Sequence, residues 1–423
     1  MHFRPFVYLG VLLGISMACA QAEQPMSPKD VVAVALAENP DLAAARFAIQ
    51  QAEARLQQSG LRTNPEIEIS QSNDLLFANE GEYSFSLGFK QRFPLTGRLT
   101  KAKAVARVDV AMAAAEVRNQ ERLLAGEVLG RARDFLVLQR KLADNQDNQT
   151  HIRKLITVSE NRLQAAETSL TDVNSAKLAL QQAALAQGEL LSQAAAATVV
   201  LNGLMGRDPS VPLSLAGALD PDPVSDDSTG ELGAAVDRRP DRQLAAFGID
   251  RAGAEITLAR AEKWEDVTVG LNYGRDYGRF ASPIGGKLDN FFGLSASVPL
   301  PLWNKNQGRI SEALATRQRA MAELHALDLR IITEIKTAEA RMRQLTDILN
   351  HYRVESTQLA DENLALVQQG YASGLTNITA VMQAQQQSFT LRQSYLDTLA
   401  EYFRARTDWE TATASLPSGR PSH

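Results

Sequence analysis

Tyr83-Ser84-Phe85-Ser86-Leu87-Gly88-Phe89-Lys90 alternates a large apolar residue with a small or polar one at every step. A period of two puts the apolar side chains on one face of a strand and the rest on the other. The pattern returns in Val267, Val269, Leu271, Tyr273 and Tyr277, interleaved with Thr268, Gly270, Asn272, Gly274 and Asp276. It recurs in Phe292, Leu294, Ala296 and Val298, between Gly293, Ser295 and Ser297. A further segment around Ile67 and Ile69 follows it less well, because Gln71 and Asn73 continue the apolar register. Two ordinary hairpins on a soluble core would carry the same alternation. The small, polar second face and strands of about ten residues fit a membrane barrel instead, apolar side to lipid and polar side to water. Tyr83, Phe93, Tyr277 and Phe291, near strand ends, are then expected to form an interfacial belt.

Strands in lipid can leave no open edge, since each unpaired backbone group costs several kcal/mol there. Four strands cannot close a barrel, as the smallest bacterial ones need about eight. The chain must therefore join copies of itself. Two copies would reach the minimum; three would give twelve strands.

Proline placement organises the rest. The 114 residues between Pro94 and Pro209 contain no proline, nor do the 115 between Pro301 and Pro417. Proline in a helix interior costs about 3 kcal/mol or more, so two such tracts predict long helices. They also mark a repeat. Asn39-Pro40-Asp41 matches Arg239-Pro240-Asp241, Ile67 and Ile69 match Val267 and Val269, and Phe85-Ser86-Leu87 matches Phe292-Gly293-Leu294. Pro94-Leu95 corresponds to Pro301-Leu302, and Gly97-Arg98-Leu99 to Gly308-Arg309-Ile310. Late in each half, Leu170-Thr171-Asp172-Val173 aligns with Ile378-Thr379-Ala380-Val381.

Each half reads as a helix, two strands and a long helical hairpin. The expected helices are Asp41 to Leu61, Gly97 to about Leu163 and Leu170 to Leu204, then Asp241 to Glu262, Gly308 to Tyr371 and Ile378 to Ala414. The fold class is thus mainly α with a membrane β-barrel, internally duplicated. The expected organisation is a leader over 1–20, a first repeat over 21–207, a Pro-rich connector over 208–229, a second repeat over 230–416 and a tail over 417–423.

The leader reads as an export signal: Arg4, an apolar run from Val7 to Ala18, and Ala18-Cys19-Ala20 as a small-x-small cleavage site. Cleavage after Ala20 removes the only cysteine. The rival reading makes Cys19 a lipid-modified N-terminus, against which Ser16 stands where Leu is usual. Beyond the leader no stretch is expected to span a membrane as a helix; Ala194 to Met205 is broken by Thr198, Asn202 and Gly203. A net charge of −5 over 423 residues, without a basic stripe, implies no nucleic-acid partner. Aromatics at 6% favour extended helices over one large globular core.

At the hairpin ends the sequence reads Arg162-Leu163-Gln164-Ala165-Ala166-Glu167-Thr168-Ser169-Leu170-Thr171-Asp172-Val173 and Gly370-Tyr371-Ala372-Ser373-Gly374-Leu375-Thr376-Asn377-Ile378-Thr379-Ala380-Val381. With the duplicated order of elements, these two tips in register resemble the TolC-like outer-membrane efflux channels over nearly the full mature length. The resemblance implies a homotrimer with a 12-stranded barrel in the outer membrane of a Gram-negative bacterium and a 12-helix periplasmic cylinder. It implies tips that dock a periplasmic adaptor fed by an inner-membrane pump. Ala166, Leu170, Thr171, Gly374, Leu375 and Thr376 would face the adaptor. Relatives often line the narrow end with acids and tie it shut through a base near the second tip. Here Asp172 and Tyr371 fit that gate, whereas Ala380 and Gln383 stand at the second acidic positions and Thr376 at the basic one. The expected closed state is held less by ion pairs and prefers cations more weakly. The run Val298-Pro299-Leu300-Pro301-Leu302-Trp303-Asn304-Lys305-Asn306-Gln307-Gly308 is similar to that of heavy-metal (Czc/Cus-type) channels, implying a proton-driven RND-type pump and divalent cations as cargo. Drugs or secreted polypeptides remain alternative cargoes.

Catalytic, cofactor and metal sites are not expected. His2, His151, His325, His351 and His423 have no second His or Cys at ligand spacing, and there is no GxSxG, P-loop or dinucleotide fingerprint. Gly285-Gly286 suits an extracellular loop. The competing architecture is a soluble periplasmic coiled-coil adaptor or scaffold.

Overall fold

The computed structural model describes residues 25–74, 76, 81–221, 228–278, 287–352 and 356–416. The leader with Cys19, Gly285-Gly286 and the tail over 417–423 lie outside them. The elements are α1 (Pro28–Glu38), α2 (Pro40–Ser59), β1 (Glu66–Asn73), β2 (Tyr83–Phe93), α3 (Arg98–Gln164), α4 (Leu170–Leu204), α5 (Ser228–Arg238), α6 (Pro240–Ala261), β3 (Val267–Gly278), β4 (Lys287–Ser297), α7 (Gln307–His351), α8 (Thr357–Ala372) and α9 (Ile378–Ala412). At 67 residues, α3 runs about 100 Å.

Three details differ from the sequence reading. Each half opens with two helices, because α1 and α5 precede the X-Pro-Asp motifs, which break and restart the helix. The expected Gly308 to Tyr371 helix is interrupted, with Tyr352 and Ser356 in π-helical geometry between α7 and α8. Finally, α4 is long and apolar enough to cross a membrane by length and composition, contrary to expectation, because its alanines dilute its polar residues. In the fold it instead runs along α3, joined to it by the Lys177–Glu160 ion pair at 2.7 Å.

The duplication is written in the backbone. Left-handed residues pair across the halves: Gly97 (φ 66°) with Asn306 (φ 59°), Ala166 (φ 58°) with Gly374 (φ 78°), and Gly206 (φ 69°) with Ala414 (φ 52°). Gly97 and Asn306 both precede the first residue of their long helices, so these caps pair two residues earlier than the Gly-Arg-Leu/Ile similarity does. The X-Pro-Asp motifs serve one purpose in both halves. Asn39 Nδ2 donates to Leu204 O at 2.9 Å, and Arg239 Nη1 donates to Ala412 O at 3.2 Å. Each satisfies an orphan carbonyl at the end of its own half's return helix.

The four strands form one antiparallel sheet in the order β1-β2-β3-β4. The helices follow the same sense. α3 packs between α4 and α9, and α9 packs on α7 and α8. Because β2 continues into α3 and β4 into α7, β1 and α4 form one open side of the molecule and β4 with α7 and α8 the other. Apolar cores lie in series along the bundle. One joins α1 to α3 and α4, a second holds Met342, Leu345, Leu349, Leu396, Leu399 and Tyr402, and a third lies near the tips around Ile152, Ile156, Tyr371 and Val381.

Candidate functional site

Two surfaces stand out: the sheet and the hairpin tips. On the sheet, cross-strand register aligns Ile69, Leu87, Tyr273 and Phe292 in one row and Ile67, Phe89, Leu271 and Leu294 in the next. This face is bare; Ile67, Phe292 and Leu294 are 71%, 72% and 73% exposed. Exposed apolar rows of this extent mark a surface meant for another apolar phase. The opposite face carries serines, glycines and the Glu66–Arg92 pair at 3.0 Å, with Glu68 bound to Lys90. Tyr83 and Tyr277 stack at 5.6 Å at the end of the apolar face nearest the strand-connecting loops, as expected of a belt. Phe291 does not join them. Period two places Phe292 on the apolar face and Phe291 on the polar one, where its ring lies over Gly274.

The tips are two copies of one turn. In the first, Glu167 N donates to Arg162 O at 2.8 Å and Ala166 N to Leu163 O at 3.0 Å; in the second, Leu375 N donates to Gly370 O at 2.8 Å and Gly374 N to Tyr371 O at 3.1 Å. These bonds close the preceding helix with a left-handed residue, Ala166 or Gly374. Each return helix is then capped by Ser169 or Asn377. Asp172 completes a capping box with Ser169, and Thr168 also donates to it at 2.9 Å. Those hydrogen bonds, led by Thr168, hold the Asp172 carboxyl below its ordinary range. Ala380, its counterpart, offers no such reciprocal bond, and Asn377 caps α9 alone through Ala380 N at 3.0 Å.

What joins the two tips is Arg162. Its guanidinium lies 4.6 Å from the centroid of the Tyr371 ring, its Nη1 donates to Tyr371 O at 2.6 Å, and its Nε donates to Glu167 at 3.1 Å. Tyr371 is itself 4% exposed. Ser159 Oγ spends its proton on Leu155 O at 2.8 Å, so the Tyr371 hydroxyl donates to Ser159 at 3.1 Å. The expected basic position, Thr376, instead donates to Val367 O within its own hairpin at 3.4 Å. The cation of the tips thus comes from the first half. Sequence reasoning missed it because 209 residues separate Arg162 from Tyr371, and only the fold brings them together.

An open cleft of about 850 Å³ lies between the tips. Of the residues singled out from sequence, Ala166, Asp172, Tyr371, Gly374, Leu375, Thr376 and Ala380 line it. Leu170 and Thr171 are exposed on the first turn of α4, and Gln383 is exposed farther along α9. Leu375 is 82% and Leu170 61% exposed, two bare leucines at a tip surface whose polar groups are hydroxyls, the Asn377 amide and the charges of Arg162, Glu167 and Asp172. Among the described residues, no group of three or more His, Cys, Asp or Glu is placed to hold a metal ion.

The family model for outer membrane efflux proteins matches residues 31–207 and 232–415. The cobalt-zinc-cadmium resistance protein CzcC of Cupriavidus metallidurans is 20% identical over 393 residues, 92% of this chain and 90% of that protein. Protein CyaE of Bordetella pertussis is 28% identical over 244 residues, 57% of this chain but only 51% of CyaE, so the chain spans about half of that relative. Among solved structures, CusC superposes with a TM-score of 0.75 at 18% identity, covering 92% of each chain. The outer membrane protein VceC of Vibrio cholerae does so at 0.70 and 17%, covering 91% of this chain and 95% of its own. Those likenesses carry the fold, and the family model's two matched stretches fall one in each half, on either side of the connector. An exposed apolar sheet, a duplicated pair of hairpins and the family model agree: this chain belongs to the outer membrane efflux protein family and resides in the outer membrane, reaching into the periplasm.

Proposed function

We propose that the chain is the outer-membrane duct of a tripartite efflux system, passively conducting divalent heavy-metal cations. A homotrimer closes a 12-stranded barrel and a 12-helix cylinder. A periplasmic adaptor docks on the tips, and an RND-type inner-membrane pump supplies the cargo. In this reading residues 1–20 are the leader, 21–207 and 230–416 the two halves, and 208–229 their connector. No catalysis, cofactor or resident metal is involved.

The observation that carries this reading is the pair of matching open sides. β1 and α4 end one side of the molecule, β4 and α7–α8 the other, so sheet and helical layer can close in the same ring. Both sides carry apolar residues at heptad spacing, Leu178 and Leu185 on α4 and Leu359 and Leu366 on α8, all 65–75% exposed. The metal cargo rests on the likeness to CzcC, named for cobalt-zinc-cadmium resistance, and not on any ligand cluster. Adaptor docking is assigned to Ala166, Leu170, Thr171, Gly374, Leu375 and Thr376. The gate is assigned to Asp172, Tyr371, Ala380 and Gln383, with Arg162 as the clasp on Tyr371.

A strain lacking the gene tests the cargo. Inhibitory concentrations of cobalt, zinc and cadmium salts are expected to fall several-fold and to recover with the native chain. Unchanged metal tolerance, with lost export of a drug or polypeptide, would reassign the cargo and keep the duct.

A further inference from the structure

The apolar face of the sheet carries one residue that is out of place in lipid. Beyond the row of Ile69, Leu87, Tyr273 and Phe292, register aligns Gln71, Phe85, Arg275 and Asn290, and then Asn73, Tyr83, Tyr277 and Leu288. Arg275 is the one charged residue on that face among the described residues. It is exposed, and it makes no ion pair or hydrogen bond among the described residues. No acid of the four strands shares its face. Period two sends its neighbour Asp276, and Asp289 opposite that, to the polar face with Ser72 and Ser84.

Depth decides what a lone cation can do there. β3 leaves α6 at Val267 and ends at Gly278, beside the strand-connecting loops. From Val267 to Tyr277 its apolar face climbs about 34 Å along the strand. A tilt of about 40° turns that into about 25 Å of height, the extent of a lipid-facing band. Arg275 lies about 5 Å below Tyr277, where acyl chains give way to headgroups and an arginine is tolerated. All four strands meet the helices at their other end, so this end lies in the outer leaflet.

The polar groups beside Arg275 are donors. Tyr273 Oη donates to Asn290 Oδ1 at 3.0 Å, which leaves the Asn290 Nδ2 to donate elsewhere. Arg275 adds a planar fork of N–H groups, a geometry that grips two oxygens of one phosphate. The exposed side chains of Tyr273, Phe292 and Leu294 continue below as a wall for acyl chains. A cation that only reached for water would need neither the second donor nor the absence of acids.

We propose that Arg275 and Asn290 bind the phosphate of an outer-leaflet lipid whose acyl chains lie along the apolar rows. The proposal rests on the sheet facing lipid, as in the duct reading.

Native mass spectrometry of the full-length assembly in a maltoside detergent tests it, with bisphosphoryl lipid A and the same lipid stripped of its phosphates as probes. The native protein is expected to bind the phosphorylated form about tenfold more tightly, the effect of one charge-assisted contact. Arg275→Gln is expected to abolish that preference and Arg275→Lys to keep part of it, while Asp276→Asn on the polar face leaves it intact. Inorganic phosphate in excess is expected to displace nothing. Equal binding of the two lipids by the native protein would overturn the site without recourse to any variant. So would a preference that survives Arg275→Gln, or displacement by inorganic phosphate. Planar-bilayer conductance of the same native sample reads the duct by itself: a silent bilayer with phosphate-selective binding overturns the channel and keeps the site, and a conducting one without that selectivity does the reverse.

Discussion

Arg162 shows what one side chain contributes at the tips. It is a planar cation stacked on Tyr371 and hydrogen-bonded to that residue's carbonyl, a geometry that lysine's point charge does not reproduce. Hydrogen bonds to charged groups contribute about 1.5–3 kcal/mol each. Arg162→Ala and Arg162→Lys are therefore both expected to loosen the paired tips. Protease nicking of the two turns should rise about tenfold, and channel openings in bilayers should become more frequent. Unaltered nicking in both variants would remove Arg162 from the proposed gate. Asp172 behaves differently. Its lowered pKa reports the Thr168 hydroxyl first and then the capping box with Ser169, whose joint help to α4 is present above the unfolded carboxyl range and fades as pH falls through the folded value. That role is local, so an acid at position 172 is no evidence by itself of an ion-selective constriction.

At the scale of elements, the sheet depends on the small residues of its polar face. A Cβ added to Gly274 would stand 2.0 Å from the Phe291 ring, so the strand can take an aromatic across it only because glycine is there. Gly274→Val must expel Phe291 and is expected to cost about 1–3 kcal/mol. Heat-modified mobility on gels reads this as unfolding at a temperature several degrees lower, and Phe291→Ala placed with Gly274→Val should recover much of the loss. The turns reuse one design with different residues. Gly206 is fixed as glycine, because a Cβ would stand 2.4 Å from Glu38 O, whereas its counterpart Ala414 tolerates a methyl at the cost of a left-handed alanine.

For the whole molecule, two unpaired strand edges and an apolar α4 make a lone chain an incomplete object. Leu185 is 75% exposed in the middle of α4, on the side that ring closure would cover. If the proposed trimer forms, Leu185→Asp is expected to convert it largely to monomer on size-exclusion chromatography in detergent, while helix content by circular dichroism stays near native. A trimer that survives the substitution would place α4 elsewhere in the assembly. The same observation explains why α4 is long and apolar enough to cross a membrane: its apolar surface is suited to another helix, with Asp172 and Lys177 in its first turns.

Much of this was already present in the order of residues. Period-two alternation defined the strands and the apolar face, because side-chain direction along a strand is a local property. Two proline-free tracts gave the long helices, since a proline there would break the ladder. Repeated motifs gave the duplication, and the tip sequences pointed to the family. Other features needed the fold. That Phe291 faces away from the aromatic belt and that Arg162 reaches Tyr371 are facts of register and long-range packing. Sequence periodicity records which way a side chain points from its own element. Which residues from distant elements it then meets is set only when the whole chain packs.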